Sequence, residues 1–321
     1  MKILKEYGLE EPLYLMMEES NEVIGVLPFF YVDVFPFGKA LMSPTDCNGL
    51  LLNDICASRD RFGKLLASIE NEAKKYNVAF VKLRLNKFSI LNSFMSNKYL
   101  KQNEYGIFIL DMQEGAEKIF KTKIHKKTRT AIRKASKLGI EVNEGVSNVE
   151  IYWKFYEETM IRTRGILDEN RRKLFRLIWT QLKPKKDFLT LTAMFKGKPI
   201  GGIMAFLFRD KVHVWYNSSL SQFLYLNPNE FLYWKLIERA SDMGYKYVDF
   251  GPTPLLPSEG HHFFKARFGG TMIPFNDYSF FTSNIRSLLI ERGLLQLAKK
   301  YDIRQKIPYA VLRKMSGRVI F

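Results

Sequence analysis

Apolar and polar positions along the chain fall into short runs whose order recurs. PLYLMMEESNEVIGVLPFFYV reads as two strands flanking the polar turn Glu18 to Glu22. RFGKLLASIENEAKKYN follows as an amphipathic helix with Phe62, Leu65, Leu66 and Ile69 on one face. VAFVKLRL then reads as a strand. Much later FLTLTAMFKGKPIGGIMAFLF gives strand, Lys-Gly-Lys turn, strand, and NEFLYWKLIERASDMG gives a helix with Leu232, Leu236 and Ala240 in line. YKYVDFG closes this second set as a strand. Ile24-Gly25 corresponds to Ile200-Gly201, and Val81 to Val248. The alternation argues for an α/β class built from two copies of one unit.

Between the copies, KTKIHKKTRTAIRKASKLGIEV holds eight Lys/Arg and no acid from 121 to 137, with Gly139 where a helix cap belongs. Ile124, Thr128, Ala131, Ile132 and Ala135 form a thin apolar stripe, so the remaining surface is cationic. Like charges repel unless an anion is near, so this helix is a candidate phosphate-binding face rather than only a solvated one. NVEIYWKFYEETMIRTRG and ENRRKLFRLIWTQLK read as the helices that open the second copy.

Composition adds little to the fold but narrows the partners. The chain has 321 residues, 46% hydrophobic, with a net charge of +17 that favours anionic partners. Cys47 and Cys56 are too few for a disulfide framework and lack metal-ligand spacing, which fits a reducing compartment. The start, MKILKEYGLEEP, has no apolar core of a signal peptide, and no apolar run reaches membrane-spanning length. A cytoplasmic protein is expected, with peripheral contact at the inner membrane face through the tail. That tail, residues 284–321, places leucines at helical spacing within a basic excess. It reads either as a helix packed on the second domain or as an amphipathic helix on an anionic membrane surface.

Five blocks carry a resemblance. IHKKTRTAIRKASKLGIEV, FYEETMIRTRG, GKPIGGIMAFLF, NEFLYWKLIERASDMGYKYVDFG and EGHHFFKARFGG, in that order, resemble the Fem-type aminoacyltransferases and the related acetyltransferases with tandem GNAT domains, including the BioF2-like group. The resemblance runs from about residue 12 to 281. It implies an α/β fold of two tandem GNAT-like domains and an N-acyl transfer to an amine. In the Fem branch the amino acid comes from aminoacyl-tRNA and goes to a cell-wall precursor. The extra helical sequence that usually precedes the first strand pair is nearly absent, so the first domain is abbreviated. There is no long coiled-coil insertion of the kind used as a tRNA arm. A glycine-rich pyrophosphate loop is not visible after GIMAFLF. The donor, aminoacyl-tRNA or acyl-CoA, therefore stays open, and no tightly bound cofactor is expected. The expected division is 1–120 for the first domain, 121–140 for a basic linking helix, 141–283 for the domain carrying the site, and 284–321 for the tail.

The resemblance places Phe264-Lys265 at the family's FK motif, where the lysine stabilises the tetrahedral intermediate. Asp249, at the carboxyl end of a predicted strand, is a candidate to orient Lys265 or hold the acceptor amine, and equally a cap for the next turn. Tyr216 and Asn217 are candidate substrate contacts, whereas Trp215 reads as core. Arg162 and Arg164, at a helix end, suit phosphate contact or the helix dipole alone. Lys127, Arg129 and Arg133 are the basic-helix candidates for an acceptor phosphate or tRNA. His261 and His262 are adjacent and diverge on any element, so they do not form a metal pair, and no metal is expected. The leading expectation is an N-acyltransferase that places an aminoacyl or acyl group on an amine of an anionic, phosphate-bearing or lipid-linked cell-envelope precursor. Its rivals are a CoA-dependent acyltransferase of the same fold and a non-enzymatic nucleic-acid-binding protein.

Overall fold

The structure is a computed structural model that describes residues 13–34, 38–43, 51–52, 58–102, 105–145, 148–163, 167, 169–182, 187–256 and 260–282. The chain divides into two compact units, Met1–Tyr105 with Pro274–Phe321, and Gly106–Ile273. Cys47, Cys56, Arg164 and the tail 284–321 lie outside the described residues.

In the first unit the polar turn is tight. Ser20 and Asn21 both adopt positive φ between β1 (Leu13–Glu19) and β2 (Glu22–Val34). β2 runs antiparallel to β3 (Gly38–Met42) and, at its middle, to the two-residue β4 (Leu51–Leu52). Helix α1 (Arg59–Lys75) starts where the Ser58 side chain caps Arg61, and buries Phe62, Leu65, Leu66 and Ile69, the face read from the sequence. It leads into β5 (Phe80–Asn86), parallel to β3. After β6 (Leu100–Gln102), the unit is completed from far along the chain by β13 (Thr271–Phe281), which pairs antiparallel with β5 from Phe275 onward. Leu27, Phe29, Leu41, Val81 and Leu83 join the α1 residues in one core. Full burial of each such side chain contributes about 1.5–3 kcal/mol.

The second unit has the strand order β7 (Tyr105–Asp111), β12 (Tyr247–Pro254), β11 (Lys211–Ser219), β10 (Lys198–Phe208), β9 (Phe188–Phe195) and β8 (Glu141–Glu144). The β9–β10 hairpin turns at Lys196 and Gly197, both at positive φ, as the Lys-Gly-Lys reading expects. One face of this sheet packs on α6 (Pro228–Asp242), whose Leu232, Leu236, Ile237 and Ala240 meet Ile203, Ala205, Val212 and Val214.

The basic run is two helices, not one. α2 (Ala116–Thr122) ends, and α3 (Lys126–Lys137) restarts where His125 Nδ1 accepts from the Lys127 amide at 3.2 Å. α3 buries Thr128, Ile132 and Ala135 in the core shared with α6, and Gly139 follows it at φ +82°. The segment expected as a linking helix is thus part of the second unit's core.

The opposite face is covered by α4 (Glu150–Arg162) and α5 (Glu169–Leu182), an aromatic layer of Tyr152, Trp153, Phe155, Tyr156 and Phe175. A Cβ on Gly202 would lie 2.3 Å from the Tyr152 ring, so only glycine fits beneath it. The Tyr152 hydroxyl shares a 2.7 Å hydrogen bond with Thr192 Oγ1, and burial pushes its pKa up to about 12 despite the Thr192 and Thr190 hydroxyls.

Candidate active site

β11 and β12 are parallel, yet their ladder has only three pairs: Lys211 with Tyr247, Val212 with Val248, and His213 with Asp249. β11 also carries a bulge against β10, because Met204 faces Tyr216 while Ala205 faces Val214, leaving Trp215 as the extra residue. Just past the third pair stands Gly251 at φ +74°, where a Cβ would meet the Val214 carbonyl oxygen at 2.7 Å. The Gly251 amide donates to Asp249 Oδ1 at 2.8 Å, so this aspartate does cap the turn that follows it.

Lys265 reaches the same point from the short helix α7 (Gly260–Ala266). Its side chain is buried, and Nζ donates to the carbonyls of Gly251 at 3.2 Å and Pro252 at 2.9 Å. An ammonium out of water requires such acceptors. Lys265 is therefore not a surface lysine.

Asp249 turns its other oxygen, Oδ2, to His213 Nδ1 at 3.1 Å. The carboxylate is buried and the imidazole half-buried, with one ring face parallel to Phe206 at 6.3 Å. One carboxylate thus holds both the imidazole and the amide of the glycine whose carbonyl anchors Lys265. The sequence reading singled out Asp249 and Lys265 but not His213. The histidine and the aspartate, 36 residues apart in the chain (213 to 249), become neighbours only through the parallel register across α6.

The other candidates fall elsewhere. Tyr216 is buried in the aromatic layer, donates its hydroxyl to the Tyr152 carbonyl at 2.8 Å, and has its pKa raised well above the usual value by burial. That hydroxyl is committed to α4. Asn217 donates to the Gly202 carbonyl at 3.3 Å, across the β10–β11 ladder. Trp215, expected in the core, is only half-buried and packs on Phe175 at 5.0 Å at the edge of the aromatic layer. Phe264 lies edge-on to Tyr233 at 5.2 Å and fixes α7 to the core. Arg162 is exposed at the end of α4 and reaches Thr159 Oγ1 at 3.4 Å.

On the basic helix, Arg129 turns inward and satisfies the carbonyls of Lys121 at 2.9 Å and Ile124 at 2.7 Å, which makes it a structural clasp. Arg133 lies over Phe120 at 5.3 Å, while Lys127 is exposed. Lys126, Lys127 and Lys137 have no acidic partner among the described residues. His262 Nδ1 lies 2.8 Å from the Pro254 carbonyl, and its ring is edge-on to Phe108. Among the described residues no three His, Cys, Asp or Glu side chains converge, and no helix is long and apolar enough to cross a membrane. An open groove of about 1560 Å³ lined by Phe120, Phe231 and Trp234 lies on α2 and α6. Neither Asp249 nor Lys265 borders it, so the polar constellation and not this groove marks the candidate site.

Known proteins share the fold. Residues 122–266 match the family described as Acetyltransferase (GNAT) domain, a span that includes Asp249, His213 and Lys265. FemX is similar in structure, with a TM-score of 0.67 at 13% identity, over 90% of this chain and 92% of that one. The C-terminal domain of a putative lysylphosphatidylglycerol synthetase from Agrobacterium fabrum gives 0.58 at 10% identity, over 92% and 90%. A tandem GNAT protein from the clavulanic acid biosynthesis pathway gives 0.55 at 10%, over 84% and 82%. No curated protein sequence matches the chain.

Proposed function

We propose, for a chain whose fold is that of the Fem-type and tandem GNAT proteins, that it is an N-acyltransferase with its site where the β11–β12 ladder stops. The observation that carries this reading is the buried Lys265 ammonium at that point, held by two carbonyls beside Gly251. Acyl transfer passes through a tetrahedral oxyanion, and a fixed cation in a water-poor site stabilises it without reorganising. Phe264 serves as the anchor that keeps Lys265 in place, through its packing on Tyr233 and Phe268.

The group transferred is an aminoacyl or acyl group, and the acceptor an amine on an anionic, phosphate-bearing molecule of the cell envelope. The exposed lysines of α3, with Arg162 and Arg164 as further candidates, supply the charge for such a partner. The likeness to a lysylphosphatidylglycerol synthetase domain supports an acceptor borne on an anionic lipid. A second reading, acyl-CoA as donor, is favoured by the GNAT domain match. Against it, the connection from β11 to α6 runs through the 3-10 turn Ser221–Leu226, SQFLYL, and contains no glycine.

The test offers the full chain labelled aminoacyl-tRNA and, separately, labelled acetyl-CoA. Acceptors are an amine-bearing, nucleotide-linked cell-wall peptide and vesicles of phosphatidylglycerol with phosphatidylethanolamine. Alkali-stable label on an acceptor is the expected result. Lys265→Met lowers its turnover about a hundredfold or more. No transfer from either donor sinks the reading, and a Lys265→Met rate equal to wild type removes the lysine from it.

A further inference from the structure

Acyl transfer to an amine also needs a group that takes a proton, and neither Lys265 nor any residue assigned above supplies it. We propose that His213 is that general base, an inference that rests on the acyl-transfer reading. Three features of its setting point the same way. Asp249 Oδ2 meets Nδ1, so the ring proton resides on Nδ1 and the Nε2 lone pair is the basic site. Phe206 lies opposite His213 on the β10–β11 ladder with its ring nearly parallel to the imidazole, 6.3 Å between centroids, so the ring plane has an aromatic neighbour while the Asp249 contact sets which nitrogen faces inward. The side chain is 20% exposed while its carboxylate partner is 6% exposed, so the base is reachable and the residue that orients it is not.

A fourth feature shows that the fold itself does not demand the pair. The first unit closes the same parallel ladder between β3 and β5 with Met42 opposite Lys82, at the positions of His213 and Asp249. A histidine and a buried carboxylate occupy these places only in the unit that holds Lys265. Burying a carboxylate is costly unless hydrogen bonds answer it, and here they come from the imidazole and from Gly251.

The step balances as follows. The acceptor amine attacks the donor carbonyl carbon, the C–N bond forms, and the carbonyl oxygen becomes an oxyanion facing Lys265. His213 Nε2 takes one N–H proton from the attacking nitrogen. Collapse breaks the acyl C–O bond of a tRNA ester or the C–S bond of a thioester. The imidazolium returns its proton to the departing oxygen or sulfur, and Asp249 stays ionised throughout as the positioning residue.

Two measurements on the full chain test this. Nitrogen-15 NMR of histidine-labelled protein, with the signal assigned by its loss in His213→Gln among the four histidines, reports the tautomer. A protonated Nδ1 with an unprotonated Nε2 at neutral pH is expected, and a protonated Nε2 overturns the proposal. In the transfer assay, His213→Gln lowers kcat about a hundredfold or more with the donor KM unchanged, and added imidazole partly restores His213→Ala. A kcat equal to wild type in His213→Gln overturns the base alone. A wild-type chain inert with both donors overturns the acyl-transfer reading and the base with it.

Discussion

The two units repeat one ladder with different contents. In the first, Leu41 faces Val81 and Met42 faces Lys82, while Phe30 lies across from Met42. In the second, Val212 faces Val248, His213 faces Asp249, and Phe206 lies across from His213. The apolar pair and the phenylalanine persist; the polar pair does not. Lys82 is turned instead to Asp277 at 3.0 Å, which also receives two bonds from the buried Arg84. The same backbone frame thus carries an ion-pair cluster in one unit and the histidine–carboxylate–lysine set in the other. Repetition of the frame says nothing about repetition of the chemistry.

The largest effect that separates the units is on stability. Arg84→Met strips the bidentate partner from a buried carboxylate and should cost about 3–5 kcal/mol, read from denaturant midpoints. Burial raises the Asp277 pKa, but Arg84 and Lys82 outweigh it and hold the group below its ordinary value of 3.8. A depressed carboxylate contributes stability above its unfolded pKa and loses it as pH falls through the folded one. Stability of the wild type should therefore fall on acidification below about pH 4, and that slope should flatten in Arg84→Met. An unchanged slope would detach this cluster from acid stability.

Next is Gly202→Ala. The matching position in the first unit, at the offset of Ile24 to Ile200, is Val26, and it tolerates a side chain. In the second unit α4 drives Tyr152 onto Gly202. The added methyl should cost about 1–3 kcal/mol as overpacking, and a neutral result would mean that the aromatic layer can yield.

The smallest effect concerns charge. Cations on α1 are answered locally, Lys64 by Asp60 and Lys75 by Glu72, while Lys126 and Lys127 on α3 have no acidic partner among the described residues. Lys126→Glu and Lys127→Glu should each lower the salt slope of binding to tRNA by about one. RNA binding with a steep salt slope that these changes reduce and Lys265→Met leaves intact, with transfer activity absent, would favour the non-enzymatic nucleic-acid reading.

Much of the frame was legible because it rests on local signals. The Lys-Gly-Lys turn, the α1 face and the Leu232-Leu236-Ala240 stripe each follow from spacing within one element. Val81 and Val248, matched by sequence alone, occupy equivalent rungs of the two ladders. The break between α2 and α3 was not legible, because eight basic residues mask a cap formed by His125. Tyr216 looked like a ligand contact because a tyrosine after an apolar strand gives no sign that an α4 carbonyl is waiting for it. His213 was missed for the deepest reason: its partner is set by strand register, which composition and periodicity do not encode.

The part of β13 from Phe275 onward is made after the whole second unit and completes the first. Arg84 waits for Asp277 across 193 positions. At about 5–20 residues per second of synthesis, β5 spends roughly ten seconds or more without its neighbour. The contiguous Gly106–Ile273 can fold during that interval, so the unit bearing the candidate site is the one able to mature first on the ribosome. Until β13 arrives, the early segment carries an open strand edge that a chaperone is suited to shield.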